Sequence, residues 1–511
     1  MEFFVRKALA VQIFILALAF SWIHGGTRPD LLFPVIPWLS LFVLSMLMVF
    51  PQARRSETLP EAQLRVWRSF FRDPLLYLAI IQLVLLVIPL FNVAGVPSVD
   101  PSTGQWVNPK PPFPSLPFCC NLGEHASLLL WFPPVMIATL AVRHGLLKRG
   151  KRILLELLCW NGAALALFGF LQRATGATSV FWGKEIFGTF FSTFGYPNIA
   201  GALFTLLFAL SMGLWFTEIF KSMIGPTVEE VDPLAEEEVS GYRKNRMAIP
   251  ALLCFAASLA TYSRAAILLT LGLLLFLGGY MLIGCWQKSL PAQRIKIGLS
   301  SLAALFVVVM GVTVLAPDDM KREISTLSME AITDRLSGRA QYHARVAGDI
   351  FKDYPVFGVG GWGYPHYQLQ YMTPEEIKGA QIVGGINVHN DSLQFLAEQG
   401  SVGFALILAT LLAVVLPMVK VIAGQAREAK LTARAVPSPS WIYTQPPVTV
   451  AAFAGCAATV VHSFGDLPFR DPAVLLTWFL AFACLPGFTP KVRVKRRILQ
   501  EKQVREPGEK Q

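Results

Sequence analysis

Two arginines, a histidine and a glycine-rich run mark the part of this chain able to do chemistry. Arg264 interrupts an otherwise apolar stretch, while Arg339, the run GVGGWGY (Gly358–Tyr364) and the segment VHNDSLQFLAEQG (Val388–Gly400) lie in a long polar insertion over residues 317–400. A forked guanidinium matches phosphate oxygens bidentately, and an imidazole is the natural proton acceptor near neutral pH. Together they fit a reaction in which a hydroxyl displaces a phosphate-bearing leaving group, with fixed cations taking up the charge that develops there. The metal-dependent alternative rests on Asp318–Asp319, an adjacent pair of the kind usually solvated at a helix end. No CxxC or His/Cys cluster with zinc spacing is present, so the expectation is no metal and no cofactor.

The residues after the histidine place it. Residues 391–399 read as a helix, with Asp391 able to cap it, Gln394 three residues on, Leu393 and Leu396 on an apolar face and Gly400 as the stop. His389 then precedes a helix N-terminus, whose partial positive charge favours the neutral imidazole that a base requires. His343 and His366 share the insertion and are rivals. On residue types alone, a histidine that merely bonds to loop backbone fits His389 equally well.

What must position these groups is a membrane bundle. The 511 residues are 54% hydrophobic and 15% charged, too apolar for an ordinary soluble domain. Crossing ~30 Å of hydrocarbon takes ~20 helical residues. About twelve apolar runs qualify, near 8–24, 31–50, 75–95, 126–146, 153–171, 198–220, 248–262, 265–285, 297–316, 401–424, 447–463 and 473–486. The fold class expected is therefore all-α, a polytopic transmembrane helical bundle of about twelve spans with one large outer loop. The chain divides into N-terminal spans (1–187), spans carrying the outer-edge arginine (188–316), the large loop (317–400), C-terminal spans (401–490) and a basic tail (491–511). With the N-terminus inside, most of the 44 Lys and Arg fall on the cytoplasmic side, in clusters such as Arg54–Arg72 and Arg143–Arg152. Both termini are then cytoplasmic. The net charge of +11 reflects that bias and attraction to anionic lipid rather than nucleic-acid binding.

Length arithmetic places Arg264. Between Arg246 and Lys288, both assigned inside, lie 41 residues that are apolar except around Tyr262–Ser263–Arg264. One straight helix of that length would reach ~60 Å, twice the hydrocarbon thickness. The chain must turn at Ser263–Arg264, which puts Arg264 at the outer membrane edge. There it either snorkels to the interface or binds an anion.

Other features carry blander readings. Gly358, Gly360 and Gly363 spell GxGxxG, but without a βαβ unit they are tight turns that pack the loop on the bundle, not a dinucleotide site. Trp362 and Tyr364 then sit at the interface or against sugar. Tyr196–Pro197–Asn198 reads as a turn leading into the sixth span. His462, Asp466 and Arg470 are candidate outer-mouth contacts, or simply a short polar turn. Cys119 and Cys120 are adjacent and make a poor disulfide framework, and the acidic run Glu229–Glu238 reads as a solvated linker.

Four segments resemble the O-antigen ligase and O-antigen polymerase superfamily of bacterial membrane glycosyltransferases. They are GTFFSTFGYPNIAG (Gly188–Gly201), TYSRAAILL (Thr261–Leu269), SGRAQYHARVAGDIFKDYPVFGVGGWGY (Ser337–Tyr364) and VHNDSLQFLAEQGSVG (Val388–Gly403), with HSFGDLPFRDP (His462–Pro472) similar to the last outer turn. The resemblance implies an inner-membrane enzyme that moves a glycan from an undecaprenyl diphosphate carrier onto an acceptor hydroxyl at the periplasmic face. The acceptor would be lipid A core, a growing glycan or a protein. It also implies that Arg264 and Arg339 hold the donor diphosphate and that His389 is the essential loop histidine. The alternative is a transporter or flippase of polysaccharide or a lipid-linked substrate. Such a protein would place ionisable groups deep in several spans, whereas Glu156 and Lys420 are among the few present.

Overall fold

The computed structural model describes residues 2–54, 57–183, 190–224, 245–288, 343–373, 376–377, 387–433 and 445–487. The expected span at 297–316, Arg339 and Asp318–Asp319 lie outside the described residues.

A polytopic helical bundle results. Its main helices are α1 (Glu2–Trp22), α2 (Ile36–Val49), α3 (Leu59–Phe70), α4 (Pro74–Val87), α5 (Phe132–Gly145), α6 (Lys148–Ala174), α7 (Pro197–Ile224), α8 (Ala248–Ala260), α9 (Arg264–Lys288), α10 (343–353), α11 (Asp391–Ala433), α12 (Pro447–Ser463) and α13 (Pro472–Cys484). Six segments among the described residues are long and apolar enough to cross a bilayer, and five shorter apolar helices accompany them. These eleven fall on eleven of the twelve apolar runs expected from sequence. Among the described residues, strand is confined to one short hairpin, Ser98–Val99 with Trp106–Val107.

Burial orders the helices. The apolar stretch of α7 is 89% buried, against 17% for α4 and for α11. Helix α7 is thus the axis, packed on α12, α8, α9 and α6, while α4 and α11 pack on each other at the periphery. The turn demanded by the length arithmetic is present: α8 ends at Ala260, Tyr262 takes φ 58° and α9 starts at Arg264. Buried hydroxyls pin it, with Thr205 of α7 3.1 Å from Ser258 of α8 and 2.7 Å from Thr270 of α9. A side chain at Gly201 would come within 2.5 Å of the Ala266 Cβ and 3.2 Å of the Ser263 Cβ. Only glycine lets the start of α7 lie under this turn.

The two ends of the bundle differ. One carries the basic clusters in ion pairs: Asp73 with Arg143 at 3.1 Å and His144 at 2.8 Å, Arg65 with Glu57 at 2.8 Å, and Glu156 with Arg152 and Arg246, each at 2.8 Å. The other, the loop face, gathers residues 343–373 and 387–400, the turn 464–471 and the starts of α7 and α9.

Candidate active site at the loop face

Helix α11 is two helices joined at a break. Gly400, at φ 61° and ψ −170°, separates residues 391–399 from the span after it, as expected of its position. The cap differs from expectation: Asn390, not Asp391, caps the helix, its Oδ1 accepting from Leu393 N at 3.1 Å and its carbonyl from Gln394 N at 3.0 Å. Gln394 reaches back further, accepting from Val388 N at 3.0 Å and donating to Asn387 Oδ1 at 2.9 Å. Asp391 faces inward instead and accepts from Phe469 N at 2.9 Å. Sequence reasoning chose Asp391 because both residue types cap well. Which of them caps depends on the turn that α11 meets in space.

His389 therefore sits one residue outside the cap, as expected, with φ 54°, a conformation side-chain-bearing residues rarely adopt. Its side chain is 37% exposed and its Nδ1 lies 3.6 Å from Oδ1 of Asp466, which is 5% exposed. That separation is ion-pair range and slightly beyond a hydrogen bond. Asp466 is held from behind. Its Oδ2 accepts from the Tyr196 hydroxyl at 3.0 Å and from the Asn198 amide, and its Oδ1 accepts from Leu467 N at 2.9 Å. Burial would raise the Asp466 carboxyl, but the His389 ring, the neighbouring His462 and the Asn198 amide together hold it below the usual carboxylate range.

The rival histidines are occupied otherwise. His343, 2% exposed, meets the Tyr364 hydroxyl at 3.3 Å, with its ring 5.9 Å from that of His389. His366 Nε2 lies 2.7 Å from Glu124. His462 is 2% exposed and neither ring nitrogen has a hydrogen-bond partner among the described residues.

A second acid organises the loop. Glu398, 1% exposed, accepts from Trp362 N at 3.2 Å, Tyr364 N at 3.4 Å and Gln394 Nε2 at 3.1 Å, and it forms a buried ion pair with Arg470. Arg470 also stacks on the Trp362 ring at 4.7 Å, so Trp362 is committed to packing. The one available signal was the four-residue spacing of Gln394 and Glu398 on the helix. The glycines work as expected. Gly358 (φ 67°) and Gly360 (φ 82°) press the loop against Glu398 and Phe118, and Val359 N and Gly360 N donate to the carbonyls of Ala397 and Glu398 at 3.2 and 2.9 Å. Cys119 and Cys120 beside this loop are free thiols, which burial pushes up to about 11 and about 12.

Arg264 is the first residue of α9 and half-buried. The start of α7 touches both loci: Asn198 binds Asp466, and Gly201, one turn on, lies against the turn that bears Arg264. Arg339 lies outside the described residues.

Residues 249–408 match the family model described as O-antigen ligase. The match spans 160 of the 511 residues and makes that region similar to the O-antigen ligase family. It contains Arg264, Arg339, His389 and Glu398, whereas Tyr196, Asn198, Asp466 and Arg470 come from outside it. Similarity to that family supports glycosyl transfer between a lipid-linked donor and an acceptor in general, and with the apolar helices it points to a bacterial inner-membrane protein. No curated protein matches the chain.

Proposed function

We propose that this protein is a periplasmic-face glycosyltransferase that moves a glycan from an undecaprenyl diphosphate carrier onto an acceptor hydroxyl, in the manner of an O-antigen ligase or polymerase. The observation that carries the reading is His389, solvent-accessible, paired with a buried, multiply held carboxylate and lying within the region that matches the O-antigen ligase model. Asp466 orients the ring and stabilises the imidazolium that forms. His389 takes the proton of the acceptor hydroxyl as that oxygen bonds to the anomeric carbon. The bond from that carbon to the carrier phosphate breaks, and Arg264 and Arg339 meet the charge left on the diphosphate. The donor is a lipid-linked glycan and the acceptor lipid A core, a growing glycan or a protein, and this reading involves no nucleic acid, metal or cofactor.

Purified protein mixed with a lipid-linked glycan is expected to release free polyprenyl diphosphate as the acceptor is glycosylated. Glycan-lipid that is moved or retained without cleavage would show transport instead. Arg264→Lys and Arg339→Lys keep the charge but lose the fork, so each should lower transfer roughly ten- to a hundredfold, the worth of a charge-assisted hydrogen bond of ~1.5–3 kcal/mol. Near-normal transfer in both variants returns these residues to interface anchoring. Orientation is tested separately. A cysteine at Ser328 should react with an impermeant thiol reagent in intact spheroplasts and one at Ser240 should not. Reversed labelling would move the site to the cytoplasm.

A further inference from the structure

On the membrane side of the Glu398–Arg470 pair, α4, α5, α11, α12 and α13 enclose a cavity of about 310 Å³. That is the lower end of the ~300–1,000 Å³ typical of small-molecule sites. Its walls are hydrocarbon, with Leu86, Met136, Ile407 and Leu411 among them. The two least buried spans, α4 and α11, form its outer side, so the surrounding lipid is the nearest source of a ligand. Neither His389 nor Arg264 lines it.

Four of the lining side chains carry buried polar atoms with no hydrogen-bond partner among the described residues. They are the Trp131 Nε1 and Arg470 Nε donors, and the Asp391 Oδ1 and Gln82 Oε1 acceptors. Buried polar groups are nearly always paired, so donors and acceptors left over around one cavity indicate a missing partner. Plain hydrocarbon fills the volume and pairs with none of them. A diphosphate head gains little, because Arg470 is already matched by Glu398 and Asp391 adds a further carboxyl. A hydroxyl both donates and accepts, and can serve an indole N–H and a carboxyl together.

We propose that this cavity binds a hydroxylated acyl chain of a membrane lipid, its hydrocarbon lying along α11 and its hydroxyl meeting Trp131 and Asp391. The site holds none of the residues assigned to proton or diphosphate chemistry, and its test does not use glycan transfer as a readout. Full-length protein in nanodiscs is photolabelled with a diazirine-bearing 3-hydroxyacyl methyl ester or its deoxy analogue, and labelled peptides are mapped by mass spectrometry. The hydroxyl probe should label residues 401–411 about tenfold more than the deoxy probe, the order expected of one or two added hydrogen bonds. Trp131→Phe keeps the ring and removes the N–H, so it should cut that preference below about threefold while leaving deoxy labelling unchanged. Ile407→Trp, or the milder Leu411→Phe if the first fails to fold, should abolish labelling by both probes. Equal labelling by the two probes in the unaltered protein overturns the proposal, as does labelling that survives the filling variants. Displacement of the probe by polyprenyl monophosphate also overturns it, by assigning the cavity to the carrier's tail.

Discussion

Two acid–base pairs join the same two pieces of chain, the segment 389–399 and the turn 464–471, and they are built oppositely. Glu398 and Arg470 are both buried, the carboxylate is saturated by backbone amides and Gln394, and the guanidinium lies between Trp362 and Phe395. His389 and Asp466 pair a buried, well-held acid with a ring that still reaches solvent. A pair shut away from solvent fixes geometry. One with an open edge can exchange a proton. The first pair sets the distance between helix and turn, and so sets how close His389 comes to Asp466.

The largest effect should come from the open pair. His389→Ala is expected to lower transfer about 10²–10⁴-fold, the usual worth of a positioned base, with expression and donor binding intact. His343→Ala and His366→Ala are controls from the same loop. If His366→Ala is the dead variant, or if His389→Ala transfers normally, the assignment of roles to the two pairs fails.

Next comes the closed pair. Glu398→Ala leaves the Arg470 charge buried and unmatched, which typically costs about 3–5 kcal/mol, so thermal unfolding in detergent should shift sharply downward. Replacing both partners with apolar residues should restore much of the stability. Transfer that stays low in the refolded double variant would show that the pair serves geometry. A single variant of unchanged melting temperature contradicts the closed-pair reading.

Asp466→Asn should fall in between, lowering transfer roughly ten- to a hundredfold with little change in donor affinity, since one charge-assisted interaction of ~1.5–3 kcal/mol is lost. Its pH dependence has a definite sign. The carboxyl is held below its ordinary range, so its contribution to stability is complete above the unfolded value of about 3.9 and is lost only as pH falls through the lower folded value. Stability that already declines near neutral pH through this residue would contradict its pairing. The smallest effect is expected of Tyr196→Phe, which removes one of several donors to Asp466. A loss of only a few-fold, about 0.5–1.5 kcal/mol, should appear in kcat rather than KM.

The chain's local chemistry determined a good deal by itself. Hydrophobic run lengths located eleven of the described membrane helices, because a bilayer imposes one length scale on every span. The spacing of Arg246 and Lys288 called for a turn at Ser263–Arg264, and the chain turns between Ala260 and Arg264. Glycine positions foretold where the 358–364 loop presses on the bundle, since no other residue takes those backbone angles at such close approach. Tertiary structure decided the rest. Asp466 meets Tyr196 across 270 positions and Glu398 meets Arg470 across 72, contacts set by how the ends of packed helices come together. Whether Asn390 or Asp391 caps α11, and which histidine stays open while His343 and His462 are buried, turned on the same packing. Residue type states what a side chain can do, and burial together with partners brought in from distant spans selects which of those capacities is left available.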